Sequence, residues 1–177
     1  MNKVTLLPAD IYQVINKSLL SEMDKLVLNM LYMPIIGNTS VTLYNILYNE
    51  LKANNYISSE LTHHHLMTNL GDTLENIKEA RIKLEGVGLM KTYVKEGNVN
   101  SYVYELYSPL SVSEFFNHPI LNIVLYNNLG VNEYNNLIKS YKKVNFKYDD
   151  YKDISSKLND TFKSSAYNNF SNENIKN

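Results

Sequence analysis

Three adjacent histidines, His63, His64 and His65, are the residues that most suggest metal chemistry. Neighbouring residues on a helix point about 100 degrees apart, so three in a row cannot close on one ion as an i, i+4 pair does. The preferred reading is that one histidine packs inside and the others face water, with metal ligation the lesser alternative. Six glycines, at 37, 71, 86, 88, 97 and 130, never form a phosphate-cradling loop. "GVG" at 86–88 lacks the third glycine at the required spacing, and no Lys-Ser/Thr pair directly follows any glycine as a P-loop needs. Neither a G-x-S-x-G elbow nor an H-E-x-x-H pair occurs, and no carboxylate sits in an apolar setting that suggests a perturbed catalytic pair. The expectation is a chain without catalytic residues, cofactor or metal.

The basic residues carry the other possible chemistry. Lys78, Arg81 and Lys83 share the segment "DTLENIKEARIKLEG" with Asp72, Glu75, Glu79 and Glu85. Three positive charges against four negative ones match DNA poorly, since affinity comes largely from neutralising phosphates. Lys91 and Lys95 lie nearby, against Glu96 and Glu105. These five basic residues are the candidate DNA contacts, with a solvated or partner-facing surface the preferred reading of the first three. Tyr93, Tyr102, Tyr104 and Tyr107 read as strand residues filling a sheet face or a subunit contact, with stacking on unpaired bases as the alternative.

Those residues must be positioned by a largely helical frame. "SEMDKLVLNMLY" opens with Ser21 as a cap and acids in the first turn, and Leu26, Val27, Met30 and Leu31 recur at helical spacing before Pro34 and Gly37. A second helix begins near Thr39 or Ser40, with Leu43, Tyr44, Leu47, Tyr48 and Leu51 on one stripe, and frays in "KANNYISS". "SSELTHHHLMTNLG" predicts a short helix ending at Gly71, with Leu61, Leu66 and Met67 or Leu70 inward. The next helix takes Asp72 as cap with Glu75 in a capping box, buries Leu74, Ile77, Ala80 or Arg81, and Leu84, and stops at Gly86. "LMKTYVKE" and "VNSYVYEL" then form a hairpin turning at "GN". Two helices, a short turn and a hairpin make a winged helix-turn-helix, so the fold class is α+β, mostly helical, with a β-hairpin wing and additional flanking helices. Ser111 or Ser113 caps a further apolar helix running to Gly130, and "VNEYNNLIKSYKKV" forms another.

Composition bounds the answer. At 44% hydrophobic and 20% charged over 177 residues, the chain reads as one ordinary globular domain with a tail. With no cysteine there is neither a disulfide framework nor a thiolate zinc site, which fits an intracellular setting. No signal peptide and no run of about 18 apolar residues is present. Residues 1–138 carry 9 Lys+Arg against 13 Asp+Glu, and residues 139–177 carry 8 against 5, so no strongly basic footprint covers the main domain. Residues 1–140 are expected to form the winged-helix domain with an N-terminal arm and C-terminal helices. Residues 141–177 are expected to be a polar, lysine-containing tail or linker, one weak helix and then a disordered end, toward a missing C-terminal domain. The abundance of Asn, Lys, Ile and Tyr suggests an AT-rich genome as readily as chemistry, so single Tyr and Asn residues carry little weight.

"MLYMPIIGNTSVTLYNILYNEL", "KLEGVGLMKTYVKE" and "YVYELYSPLSVSEFFNHPILNIVLYNNLG", in that order, resemble the N-terminal domain of the DnaB/DnaD family of bacterial replication-initiation proteins, and within it the helicase-loading and membrane-attachment DnaB branch. The resemblance covers roughly residues 4 to 140 and rests on the ordered set, no single piece being a signature. The Trp-bearing motif of the family's second part is absent, for the chain has no Trp. The resemblance implies a cytoplasmic primosome component acting at replication initiation and restart. It implies work with a DnaD-like protein, the initiator and an ATP-dependent helicase loader that places the replicative helicase on DNA. DNA binding would lie mainly in the missing C-terminal region, with peripheral membrane attachment as a further role. A winged-helix DNA-binding transcriptional regulator is the alternative.

The family's habit of self-assembly into dimers or tetramers also gives a reading of two apolar segments. Leu6, Leu7, Ile11 and Tyr12 are too apolar for a free arm, and Phe115, Phe116, Leu121, Val124, Leu125 and Tyr126 exceed what a small winged helix needs. Both are candidates for an oligomer or partner interface, the alternative being that they complete one copy's core.

Overall fold

The computed structural model describes residues 4–51, 56–141 and 147–161. The chain divides into two compact units, residues 1–142 and 143–177. The first is the winged helix that the sequence predicts, with a two-residue strand where it predicts helix and one full strand that it does not predict.

That strand is β1 (Ile11–Asn16), in the segment taken for an arm. Its alternation buries Tyr12, Val14 and Asn16 on one side and leaves Ile11, Gln13 and Ile15 half-buried on the other, the period-two pattern of a strand between two neighbours. The sheet order is β2-β1-β4-β3, with β2 Leu61–Thr62, β3 Met90–Lys95 and β4 Ser101–Leu106. β1 runs parallel to β4, pairing Ile11 with Ser101 through Asn16 with Leu106, while β3 and β4 form the antiparallel wing.

α1 (Glu22–Val27) starts in a complete capping box of Ser21 and Asp24 and passes through a π-helical turn, Leu28–Tyr32, into α2 (Met33–Ile36). Gly37, at φ 82° and ψ 166°, separates α2 from α3 (Asn38–Asn49) in a region essentially reserved for glycine. Leu43, Tyr44 and Leu47 of α3 are buried as expected, whereas Leu26 and Met30, expected inward, are exposed. Residues 52–55 of the segment expected to fray lie outside the described residues.

α4 (His63–Leu70) starts later than the pattern suggests, because Leu61 and Thr62 pair with β1 and the Thr62 hydroxyl caps the helix. It ends at left-handed Gly71. α5 (Leu74–Gly86) is capped by Thr73, whose hydroxyl accepts from Asn76 N–H, and not by Asp72, which accepts instead from the Thr73 N–H and the Asn76 side chain. Ile77, Ala80 and Leu84 form its buried face. α6 (Val112–Asn117) opens in a second capping box, Ser111 with Glu114. α7 (Pro119–Tyr141) breaks at Gly130, φ 76° and ψ 166°, where the sequence separates two helices.

One core joins all of this: Tyr12 and Val14 of β1, Leu31 and Leu47 of the first helices, Leu66, Ile77, Leu84, Tyr104 and Phe115. Asp10 is a buried carboxylate that no local pattern announces. It is satisfied as a turn residue, accepting from the Leu7 and Asn100 N–H groups. In the second unit the described residues hold a turn at 149–150 and α8 (Leu158–Thr161), the one short helix expected there. Residues 162–177, where a disordered end is expected, lie outside the described residues.

Candidate functional site

The histidine triplet disperses. His63 is buried, and its Nδ1 lies 2.7 Å from the Asp10 carbonyl. His64 is exposed, and His65 is paired with Glu50 at 3.0 Å while also contacting Asn69. Three ring directions along one helix give three different surroundings, as the helical geometry requires. Among the described residues no three His, Asp or Glu side chains converge as a metal site.

The basic residues of α5 are largely committed to neighbours. Arg81 is only 17% exposed, and its Nε lies 3.1 Å from Glu85 Oε1, an ion pair by distance whose N–H does not point at the oxygen. The charge of the same guanidinium acts on the buried Tyr104 hydroxyl, opposing the burial that raises its pKa. Lys78 pairs with Glu75 at 3.9 Å, one turn away. Lys83 is exposed but lines a cleft of about 250 Å³ with Glu79, Asn38 and Thr39. The outward face of α5 thus presents Glu75 and Glu79 beside Lys78 and Lys83, with Arg81 turned inward. This surface has little excess charge to offer a phosphate backbone.

The wing is organised differently. Its tyrosines split by strand face: Tyr102 and Tyr104 are buried, while Tyr93 is 51% exposed and Tyr107 half-buried. Lys91 and Lys95 are exposed on the same face of β3 as Tyr93. The Lys91 ammonium sits 5.4 Å above the Tyr107 ring, within cation–π range. Glu105 pairs with Lys17 at 3.5 Å and accepts a hydrogen bond from the Tyr107 hydroxyl. That bond pushes the Tyr107 phenol up to about 12 and holds the Glu105 carboxyl below its ordinary value.

The apolar candidates divide between inside and outside. Leu6, Tyr12, Phe115, Leu121 and Leu125 are buried within one copy, which corrects their assignment to a surface. Leu6 lies ahead of β1, and the other four are held there by their element's alternation or stripe, as Phe115 shows by packing edge-on to Tyr32 at 5.1 Å between ring centroids. Ile11, Phe116 and Val124 are half-buried, and Leu7 and Tyr126 are exposed. What the interface reading missed is Ile120 and Ile123, 66% and 60% exposed, which with Tyr126 make an apolar face on the first half of α7. The helical period alone cannot say which stripe of so apolar a segment turns inward.

A second exposed apolar stripe runs along α1 and the π-turn, at Met23, Leu26 and Met30. Met30 also lines a groove of about 410 Å³ with Pro34, Leu129 and Leu137. No helix among the described residues is long and apolar enough to cross a membrane.

Comparison with known proteins accounts for this architecture. Residues 6–177 match the family model described as the DnaB N-terminal winged helix domain. The chain is 30% identical over 157 residues to the "Replicative helicase loading/DNA remodeling protein DnaB" of Staphylococcus aureus, covering 88% of this chain and 34% of that protein. The chain therefore spans about a third of the length of that relative. It superposes with a TM-score of 0.80 and 31% identity on the crystal structure of primosome protein DnaB, residues 1–300, from Geobacillus stearothermophilus, over 88% of this chain and 60% of that one.

Proposed function

This chain belongs to the family of DnaB N-terminal winged helix domains, and from that premise we propose that it is the non-enzymatic assembly and partner-contact module of a replication-initiation protein that helps load the replicative helicase onto DNA. The relatives' names, a replicative helicase loading protein and a primosome protein, support the setting. The observation that carries the assembly role is the α7 face of Ile120, Ile123 and Tyr126, apolar side chains left in water by a domain whose core is already closed. A second copy is its first occupant in this reading. A DnaD-like protein, the initiator and an ATP-dependent loader acting with the helicase are the further partners.

The arrangement of α5 weighs against the alternative of a duplex-reading regulator. Its arginine is turned toward Glu85 and Tyr104, Lys78 pairs with Glu75, and Lys83 shares a cleft with Glu79.

The test is the solution mass of the chain. Sedimentation equilibrium is expected to give a multiple of the 20.5 kDa chain mass, reduced to a single chain by the double substitution Ile120→Glu, Ile123→Glu. A wild type that stays at one chain mass at the highest soluble concentration would remove self-assembly from the role.

A further inference from the structure

We propose that the outward face of the sheet, along β3, is a platform for single-stranded nucleic acid. This goes beyond the assembly role and does not rest on it.

Lys91, Tyr93 and Lys95 alternate along one strand, so all three project from the same side of the sheet, about 6.8 Å from one to the next. The result is a row of cation, ring and cation. The strand is the last in the sheet, so no neighbour beyond it crowds these side chains. Tyr93 is half in water although its cross-strand partner is Val103, and it contributes nothing to the closed core. Beside it a recess of about 310 Å³ opens between the strand and Glu85, whose carboxylate is already engaged by Arg81 and Thr92.

The charge balance of this face differs from that of α5. Lys17, Lys91 and Lys95 stand against Glu105, which is held by Lys17 and by the Tyr107 hydroxyl. Glu96 follows in the loop after the strand. Lys91 lies 5.4 Å over the Tyr107 ring and across the strands from Glu105, whose carboxyl it helps to hold ionised, so its ammonium stays on the outward side. A phosphate backbone fits the lysines, and an exposed ring between them fits the face of a base. In a duplex that face is already stacked on its neighbours, so the ring has a partner only in an unpaired strand.

The test is fluorescence anisotropy of the 177-residue chain with labelled oligothymidine of about 15 nucleotides, a length within the range one such platform covers, and with a duplex of equal length. Oligothymidine is expected to bind more tightly than duplex and to weaken as salt rises. Tyr93→Ala should weaken it about tenfold or more, Tyr93→Phe should keep most of it, and the pair Lys91→Gln, Lys95→Gln should flatten the salt dependence. Lys25→Gln, on α1, should change nothing, and circular dichroism confirms that each variant is folded. No binding at low salt would overturn the proposal, as would binding indifferent to Tyr93→Ala, or equal affinity for duplex. If Tyr93→Ala leaves nucleic acid unbound as before and instead dissolves a self-assembled species, the face is an interface between copies and the proposal fails.

Discussion

The hydroxyl of Tyr104 lies 2.6 Å from Nε2 of His63, with both side chains buried. The other ring nitrogen faces the Asp10 carbonyl, which can only accept, so Nδ1 carries the proton and Nε2 accepts from Tyr104. The Arg81 charge also acts on the Tyr104 hydroxyl, against the burial that raises its pKa. The two hydrogen bonds of His63 tie β4 to α4 and the entry of β1, with a neutral histidine between them.

Burial holds the His63 pKa below its ordinary 6.5. The unfolded chain takes up a proton near 6.5 while the folded one resists, so the unfolded state binds more protons below that value. Stability should therefore fall as pH drops from about 6.5 toward the lowered folded pKa. Urea midpoints measured between neutral and mildly acid pH check this. His63→Asn retains a donor for the Asp10 carbonyl and should lose that slope, and a flat wild-type profile would contradict it.

Tyr104→Phe should cost about 1–3 kcal/mol, because it leaves Nε2 without its donor in a buried site. Denaturant unfolding of the variant gives the value directly. A loss below about 0.5 kcal/mol, typical of a surface change, would mean that the network does not hold these elements together.

Phe115→Ala and Tyr126→Ala separate core from surface on neighbouring segments. The first should destabilise by about 3–5 kcal/mol, since Phe115 is wholly buried against Tyr32. The second should stay within about 0.5 kcal/mol in a monomeric background, because Tyr126 is 43% exposed. Thermal unfolding ranks them, and a reversed ranking would return Phe115 to the interface.

Thr73→Ala should cost about 1 kcal/mol through loss of the α5 cap. Gly130→Ala should cost about 1–3 kcal/mol, since an alanine at φ 76° and ψ 166° is strained even with open space around it. Urea titration of each variant is sufficient, and a neutral Gly130→Ala would show that the two halves of α7 can rearrange around the break.

Most elements were legible because each carries a local signal: the Ser21 and Ser111 capping boxes, Gly71 and Gly130 as stops, and the Val- and Tyr-rich wing. β1 was not, since "IYQVIN" alternates apolar and polar only loosely and its partner lies far along the chain. The shift of the α5 cap from Asp72 to Thr73 turns on which side chain reaches an N–H, and two adjacent capping types look alike in sequence. The surfaces were half legible. The mixed charge of α5 could be counted, but that Arg81 turns inward depends on Tyr104, and the division of the tyrosines between faces depends on register. Ile120 and Ile123 were hidden by the very apolarity of their segment.

The parallel pairing of β1 with β4 also sets a timetable. Asp10 at the foot of β1 takes the N–H of Asn100, 90 residues further on. During synthesis the first strand emerges well before the wing exists, and it must wait for nearly the whole helical frame before it finds its neighbour. Closing so long a loop is slow to begin and is rewarded only when the sheet zips. The sheet that carries the wing therefore cannot close before residues 101–106 are made, and an interrupted chain that lacks β4 leaves Tyr12 and Val14 without their neighbouring strand.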